Sequence, residues 1–306
     1  MQHKALSIPT FLVTGGNGQV GFELRRSLAP LGNVIALDRA ACDLSRTDEL
    51  RRVVRQHRPD VIVNPAAYTA VDKAETDAQT AFAVNGAAAG VLAEEAKALG
   101  SLLVHYSTDY VFDGSKDGAY VETDAVNPQS VYGKSKLAGE QAIAASGAQA
   151  LVLRTCWVAG AHGGNFAKTM LKLGRERDSL RVIADQFGAP TTAALIADVT
   201  AQIVARHWLH GQREAFPSGV YHLAAAGETT WHGYATEVLR HAAARGVELK
   251  VDPARIEAIP ATAYPLPAPR PANSRLDTGK LRGTFGIHLP DWRQGVHYLL
   301  DQILCI

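Results

Sequence analysis

Cysteine is scarce in this chain. The three present, Cys42, Cys156 and Cys305, are odd in number, far apart and without a CxxC pair. That points away from a disulfide framework and a cysteine zinc site, and it fits a reducing cytoplasm. Charge of either sign is not in excess. Lys and Arg total 31 against 30 Asp and Glu, a formal net charge of +1, so no bulk field draws the chain to nucleic acid or to a membrane. A balance near zero leaves room for a local basic patch that binds a phosphate. No apolar run approaches the ~18 residues of a membrane span, and residues 1–10 lack the apolar core of a signal peptide. Internal repeats and a low-complexity tail are absent too. What remains, in 306 residues of which 47% are hydrophobic and 20% charged, is the composition of a globular enzyme with one large domain or two tightly joined ones.

The first half alternates short apolar runs with helical stretches. Runs at 11–14, 34–37, 61–63, 102–106 and 151–153 suit strands buried on both faces of a parallel sheet. Between them the pattern predicts helices at 19–29, 48–57, 78–98 and 131–145. Strand and helix repeated in this way imply right-handed crossovers, so the expected fold is α/β, a Rossmann-type doubly wound parallel sheet. The second half is less regular, with helices predicted at 165–177, 192–208, 231–244 and 291–304 and a strand at 220–224. Residues 259–271 hold five prolines. Proline fixes φ and removes an amide donor, so a rigid extended loop is expected there.

The turn Thr14-Gly15-Gly16-Asn17-Gly18-Gln19-Val20-Gly21 follows the first strand directly. Gly15, Gly18 and Gly21 let the chain turn sharply, admit a pyrophosphate to the backbone and start a helix packed close to the sheet. The free N–H groups and partial positive charge of that helix start would meet the phosphates. Asp38 ends the second strand, where an acid can accept from an adenosine ribose, and Arg39 beside it can meet a 2′-phosphate. The pair leaves NADH and NADPH both open. Asp43-Leu44 reads either as a helix cap or as an adenine contact. Ala66, Ala67 and Tyr68 follow the third strand, at the sheet edge where ligands bind.

His105-Tyr106-Ser107-Thr108-Asp109 closes the fourth strand, and Tyr132 and Lys136 stand four apart on the next helix, hence on one face. An isolated phenol is a poor acid at neutral pH, with a pKa of about 10. A lysine ammonium one turn away is expected to lower it. A hydroxyl from Thr108 or Ser107 can hold a carbonyl oxygen as it becomes an alkoxide. Together these groups meet the needs of hydride transfer to a ketone.

With these motifs in place the chain resembles the extended short-chain dehydrogenase/reductase family. Within it, the chain looks like the branch that reduces dTDP-4-dehydrorhamnose. The stretches that carry the resemblance include 18–21, 58–64, 69–75, 105–112, 131–134, 165–170, 185–191 and 270–276. The resemblance implies reduction of the C4 keto group of dTDP-4-dehydro-β-L-rhamnose to dTDP-L-rhamnose, a precursor of cell-surface polysaccharide such as the O-antigen. NADPH or NADH would be the cofactor and a sugar nucleotide the only partner. Tyr132 would be the proton donor, Lys136 its partner on the nicotinamide ribose, and Thr108 and Asp109 sugar contacts. Gly18, Gln19 and Val20 would line the pyrophosphate. Asn85 would brace the site, Trp157 would pack on substrate, and Arg270, Asn273 and Arg275 would bind the nucleotide diphosphate. A reductase giving an epimer such as dTDP-6-deoxy-talose, or a non-catalytic regulatory subunit on the same fold, would share these motifs.

Some members of the family dimerise around a magnesium ion held by three glutamates. Glu23 matches one, but Ala194 and Gln302 stand at the other two. No intrinsic metal and no metal-bridged homodimer are expected, leaving a monomer or another dimer. Ala159 replaces a tyrosine frequent in the family. The expected division is a dinucleotide-binding domain of 1–158 plus about 186–227, and a substrate domain of about 159–185 and 228–306.

Overall fold

The computed structural model describes residues 8–305; the first seven residues, over which the absence of a signal core was read, lie outside it. Six strands form the central sheet: β1 Thr10–Val13, β2 Asn33–Ala36, β3 Val61–Asn64, β4 Leu102–Thr108, β5 Ala150–Thr155 and β6 Gly219–His222. All neighbours pair in parallel, in the spatial order β6-β5-β4-β3-β1-β2. The chain leaves β1 toward β2 on one side and returns to β3 on the other. That reversal opens a crevice at the carboxyl ends of β1 and β3, where α/β sheets bind ligands.

The inner strands β1, β3, β4 and β5 are largely apolar because both faces are covered, whereas edge strand β2 is only partly buried. Phe11, Val13, Val61, Val63, Val104 and Leu153 face one layer, packed with Leu24, Leu28, Ile196, Ile203 and Trp208. Leu12, Ile62, Leu103 and Val152 face the other, packed with Leu50, Val54, Ala89, Leu92 and Ile143. The first layer holds helices Gln19–Leu28 and Ala193–Ile203; the second holds Thr47–His57, Ala88–Leu99 and Val131–Ser146. A separate apolar cluster, with Met170, Leu171, Val182, Tyr234, Leu239, Trp292 and Val296, joins helices Phe166–Glu176, Trp231–Ala244 and Trp292–Leu304.

Two predicted helices are continuous but not uniform. The stretch expected at 78–98 is α-helical at Ala78–Phe82 and Ala88–Leu99, with a π turn at Ala83–Ala87 between them. The one expected at 192–208 passes into a π turn at Val204–Leu209. Between the last two predicted helices lies an unforeseen short helix, Gly279–Phe285. The proline-rich stretch begins at the end of a short strand, Glu257–Ile259, has one 3₁₀ turn, Ala261–Ala263, and is otherwise irregular. Among the described residues no helix is long and apolar enough to cross a membrane.

Candidate active site

The glycine turn is built by close approach. Gly15 has φ of 58°, and a Cβ there would lie 2.9 Å from Ala66 Cβ. A Cβ on Gly21 would lie 2.1 Å from the Gly15 carbonyl oxygen, so only glycine lets the helix pack onto the turn. Gly18 caps that helix without a side-chain bond, which leaves the first-turn amides open to an anion. A cleft of about 510 Å³ runs from this turn along the strand ends. Its walls include Gly15, Gly18, Gln19, Val20, Gly21, Arg39, Asp43, Leu44, Ala66, Ala67, Tyr68, Tyr132 and Lys136. Asp38 is not among them: its carboxylate accepts from Asn17 Nδ2 at 3.1 Å and the Ala41 amide at 2.9 Å. Arg39, largely exposed, leans toward Asp43 at 3.7 Å.

The Gln19 side chain, on the cleft wall, also ties the glycine turn to a distant segment. Its Oε1 accepts from the Gly160 amide at 2.8 Å and from Asn165 Nδ2 at 3.0 Å. Asn165 also caps helix Phe166–Glu176. Asn85 sits in the π turn, buried, where it accepts from the Tyr68 amide and donates to the Tyr68 carbonyl and Ser135 Oγ. A π turn swings one residue out of helical register, and such bulges gather at functional sites.

Helix Val131–Ser146 starts at Ser130, whose hydroxyl accepts from the Gly133 amide. That cap puts Tyr132 in the first turn, at the cleft. Thr108, at the end of β4, neighbours the Tyr132 phenol and draws its pKa down. Ser107, the alternative hydroxyl, is committed elsewhere: it donates to buried Glu140, which is also gripped by Arg154 through Nε at 2.9 Å and a second nitrogen at 2.6 Å. Thr108 donates to Asp109 Oδ1 at 3.0 Å and accepts from the Tyr110 amide at 3.2 Å, so it meets a substrate oxygen as a donor only by turning its proton away from Asp109.

The expected effect of Lys136 on Tyr132 is not what this site shows. Desolvation pushes the phenol up to about 12, with Thr108 lowering it and the charge of Asp109 raising it further. The lysine side chain is turned to the Tyr106 carbonyl at 2.6 Å and to His105 Nε2 at 3.2 Å, and burial pushes its pKa down to about 8. The four-residue spacing fixed the shared face but not the direction of the ammonium. Asp109 is buried and desolvation pushes it up to about 6.

A second cavity of about 630 Å³ is lined by Tyr110, Trp157, Phe166, Trp231, Arg177, Arg181, Arg270 and Ser274, among others. Trp157 stacks on Trp231 at 3.8 Å and has φ of 47°. Tyr110, on this cavity, meets Tyr132, on the first, edge to face at 5.4 Å, so the two cavities share a wall. Arg270 lines the cavity with one nitrogen 2.8 Å from Asp72. Asn273 and Arg275 do not line it. Asn273 donates to the carbonyls of Lys116 and Gly118 and accepts from Arg275, and Arg275 also reaches Glu228 and lies over Phe187. The structure thus gives both of them loop-bracing contacts, made by residues too distant in sequence to be paired by pattern. Sequence reasoning also passed over Asn64 and His105. Their signal was present, as polar side chains inside otherwise apolar strands.

The residues do not fit a magnesium ion at the family position. Glu23 is buried and accepts from Arg26 Nε at 3.2 Å, and neither Ala194 nor Gln302 offers a carboxylate.

A parallel sheet whose switch-point crevice carries a glycine turn, with a tyrosine and lysine one helical turn apart on its wall, defines a reductase of the short-chain dehydrogenase class. The comparisons narrow the class. The family model described as RmlD substrate binding domain matches residues 10–305, and the chain belongs to that family. It is 52% identical to a dTDP-4-dehydrorhamnose reductase of Burkholderia thailandensis, over 96% of this chain and 98% of that one. It is 48% identical to the Escherichia coli K12 enzyme of the same name, over 95% and 97%. The crystal structure of dTDP-4-dehydrorhamnose reductase from Bacillus anthracis in complex with NADP superposes with a TM-score of 0.87 at 30% identity, covering 97% of this chain and all of that one.

Proposed function

We propose that this chain reduces the C4 keto group of dTDP-4-dehydro-β-L-rhamnose to dTDP-L-rhamnose, with NADPH or NADH as the reductant. One observation carries the reading: the Tyr132 phenol stands on the wall between a glycine-turn cleft and an aromatic, arginine-bearing cavity. The cleft fits a dinucleotide, because glycines give the backbone close approach and the helix start is uncapped. When bound, that cofactor supplies the hydride to C4.

The chain's own residues do the rest. The Thr108 hydroxyl and the Tyr132 phenol would hold the C4 oxygen, and Tyr132 would give up its proton as that oxygen becomes an alkoxide. A phenol held near pKa 12 keeps its proton until the developing alkoxide, a stronger base, draws it. Lys136 would bind ribose hydroxyls and offset the charge left on the phenolate. Trp157 would pack on the sugar nucleotide, and Arg270 would meet its diphosphate. The Ala41 and Asn17 contacts of Asp38, with Arg39 on the cleft, support NADPH over NADH.

The apolar cluster around helices 166–176, 231–244 and 292–304 supports the division into dinucleotide and substrate domains. Three free cysteines support the cytoplasm as its location, and the poor fit to magnesium supports a monomer or a dimer without a bridging metal. The test is consumption of NADPH with dTDP-4-dehydrorhamnose and NMR of the product. Rhamnose configuration is expected. An absence of oxidation with purified enzyme refutes the reading, and a talose configuration reassigns the product.

A further inference from the structure

Toward the carboxyl ends of three neighbouring strands runs a row of buried polar side chains, Thr14, Asn64 and His105, that have no part in the reaction and that end on Lys136. Thr14, at the tip of β1, donates to Asn64 Oδ1 at 2.5 Å. Asn64 ends β3, in register with His105 of β4, and its Nδ2 lies 3.0 Å from His105 Nδ1. His105 Nε2 lies 3.2 Å from Lys136 Nζ. All four residues are at most 2% exposed. Polar side chains are costly in such a place unless each is bonded to the next. The row begins beside Gly15, the hinge of the glycine turn, and ends on the lysine.

We propose that His105 is the positioning residue of the catalytic lysine: held by Asn64 and Thr14, it aims Lys136 and keeps it in the ammonium form, tying it to the dinucleotide turn. This rests on the reading of Tyr132 and Lys136 as the reductase pair. A neutral imidazole has one donor and one acceptor nitrogen. When Nε2 accepts from the ammonium, Nδ1 must donate, and Asn64 meets it by presenting its oxygen, its amide nitrogen then facing Thr14. In the orientation the structure shows, Thr14 donates to Oδ1 and Asn64 Nδ2 donates to Nδ1, so Nε2 would donate to a neutral amine; the ammonium requires the Asn64 amide turned end for end. The row thus has two consistent polarities, and the ammonium selects one of them.

Burial keeps His105 itself neutral, its pKa held well below the ordinary value by desolvation and then by the Lys136 charge. The other charged groups facing the lysine are few. Glu140, one turn along the same helix, raises its pKa, and Arg154 of β5 is bound to that glutamate. Tyr132 shares the helix face. The Tyr106 hydroxyl of β4 is turned away to Thr200, and Asn64 of β3 and Thr14, which reach the lysine through His105, carry no charge.

The experiment compares His105→Gln with His105→Asn. The glutamine amide reaches to about where Nε2 stands, whereas asparagine stops near Nδ1. NADPH affinity is followed by cofactor fluorescence without any sugar, across about pH 6 to 10, and kcat is followed in parallel. In wild type both should fall as Lys136 loses its proton. With His105→Asn that fall should move roughly one pH unit lower, the scale of one lost charge-assisted bond, and kcat near neutrality should drop about tenfold. His105→Gln should restore the wild-type profile. If the two variants share the wild-type profile, or if glutamine shifts as far as asparagine, the proposal is overturned; a lower melting temperature alone counts against it too. Binding with the stated pH dependence but no sugar reduction would instead sink the substrate reading.

Discussion

Asp109→Asn should make this protein more stable at neutral pH while harming the site. The Asp109 carboxyl is 2% exposed. Thr108 donates to its Oδ1 at 3.0 Å, but Oδ2 is buried with no hydrogen-bond partner. Desolvation raises its pKa from 3.8 to about 6. A carboxyl raised on folding binds its proton more tightly in the native state than in the unfolded chain. Stability is therefore greatest below the unfolded pKa and is lost as pH rises through the window from about 4 to about 6. Two pH units at about 1.4 kcal/mol each put the cost above that window at about 3 kcal/mol. Asparagine removes the charge and keeps the acceptor, but it puts an amide nitrogen where Oδ2 found no partner, returning about 1 kcal/mol. The expected gain is about 2 kcal/mol at pH 7.5 and about 0.6 kcal/mol at pH 5, turning into a loss of about 0.4 kcal/mol near pH 4. Urea unfolding of both proteins across this range measures it. Parallel curves, or a variant less stable at pH 7.5 than wild type, would refute the reasoning.

Tyr132→Phe should bind NADPH as wild type does and lose about 10²- to 10⁴-fold in kcat; stopped-flow turnover with cofactor titration checks both. Gly188→Ala would bring a Cβ to 2.6 Å from the Trp157 ring, so KM for the sugar nucleotide should rise severalfold while the Kd for NADPH stays put. Gln19→Ala cuts two bonds to the 160–165 segment; weaker sugar-nucleotide binding with an intact glycine turn is expected by calorimetry. Arg270→Ala should weaken dTDP binding more than Arg275→Ala, because Arg270 alone of the two faces the cavity.

How much of this was legible in the sequence depended on the kind of force involved. The inner sheet strands declared themselves because burial on both faces demands continuous apolar runs, as in Val61–Asn64. Helix Trp231–Ala244 was read to the residue because Thr230 caps it and its apolar face repeats. The π turn around Asn85 was invisible, since an apolar repeat does not distinguish bonding to the fourth residue from bonding to the fifth. Strands of two residues, such as Phe187–Gly188, exist only through distant partners and leave no period to read. That Tyr132, Lys136 and the glycine turn meet at one cleft was legible because local spacing and strand order set their places. The contacts of Asn273 were not legible for the opposite reason: its bonds go to Lys116 and Gly118, more than 150 residues away. The direction of the Tyr132 shift was misjudged because burial, a tertiary property, outweighs a neighbouring charge that points elsewhere.

The central claim is a hydride delivered to C4 of the sugar beside the Tyr132 phenol. Running the reaction with NADPH deuterated at the transferring position of its nicotinamide and examining the sugar by NMR tests it directly. The account predicts one deuterium at C4 of dTDP-L-rhamnose, at a rate that collapses with Tyr132→Phe. Deuterium at another carbon, or labelled product formed at an undiminished rate by that variant, would contradict it.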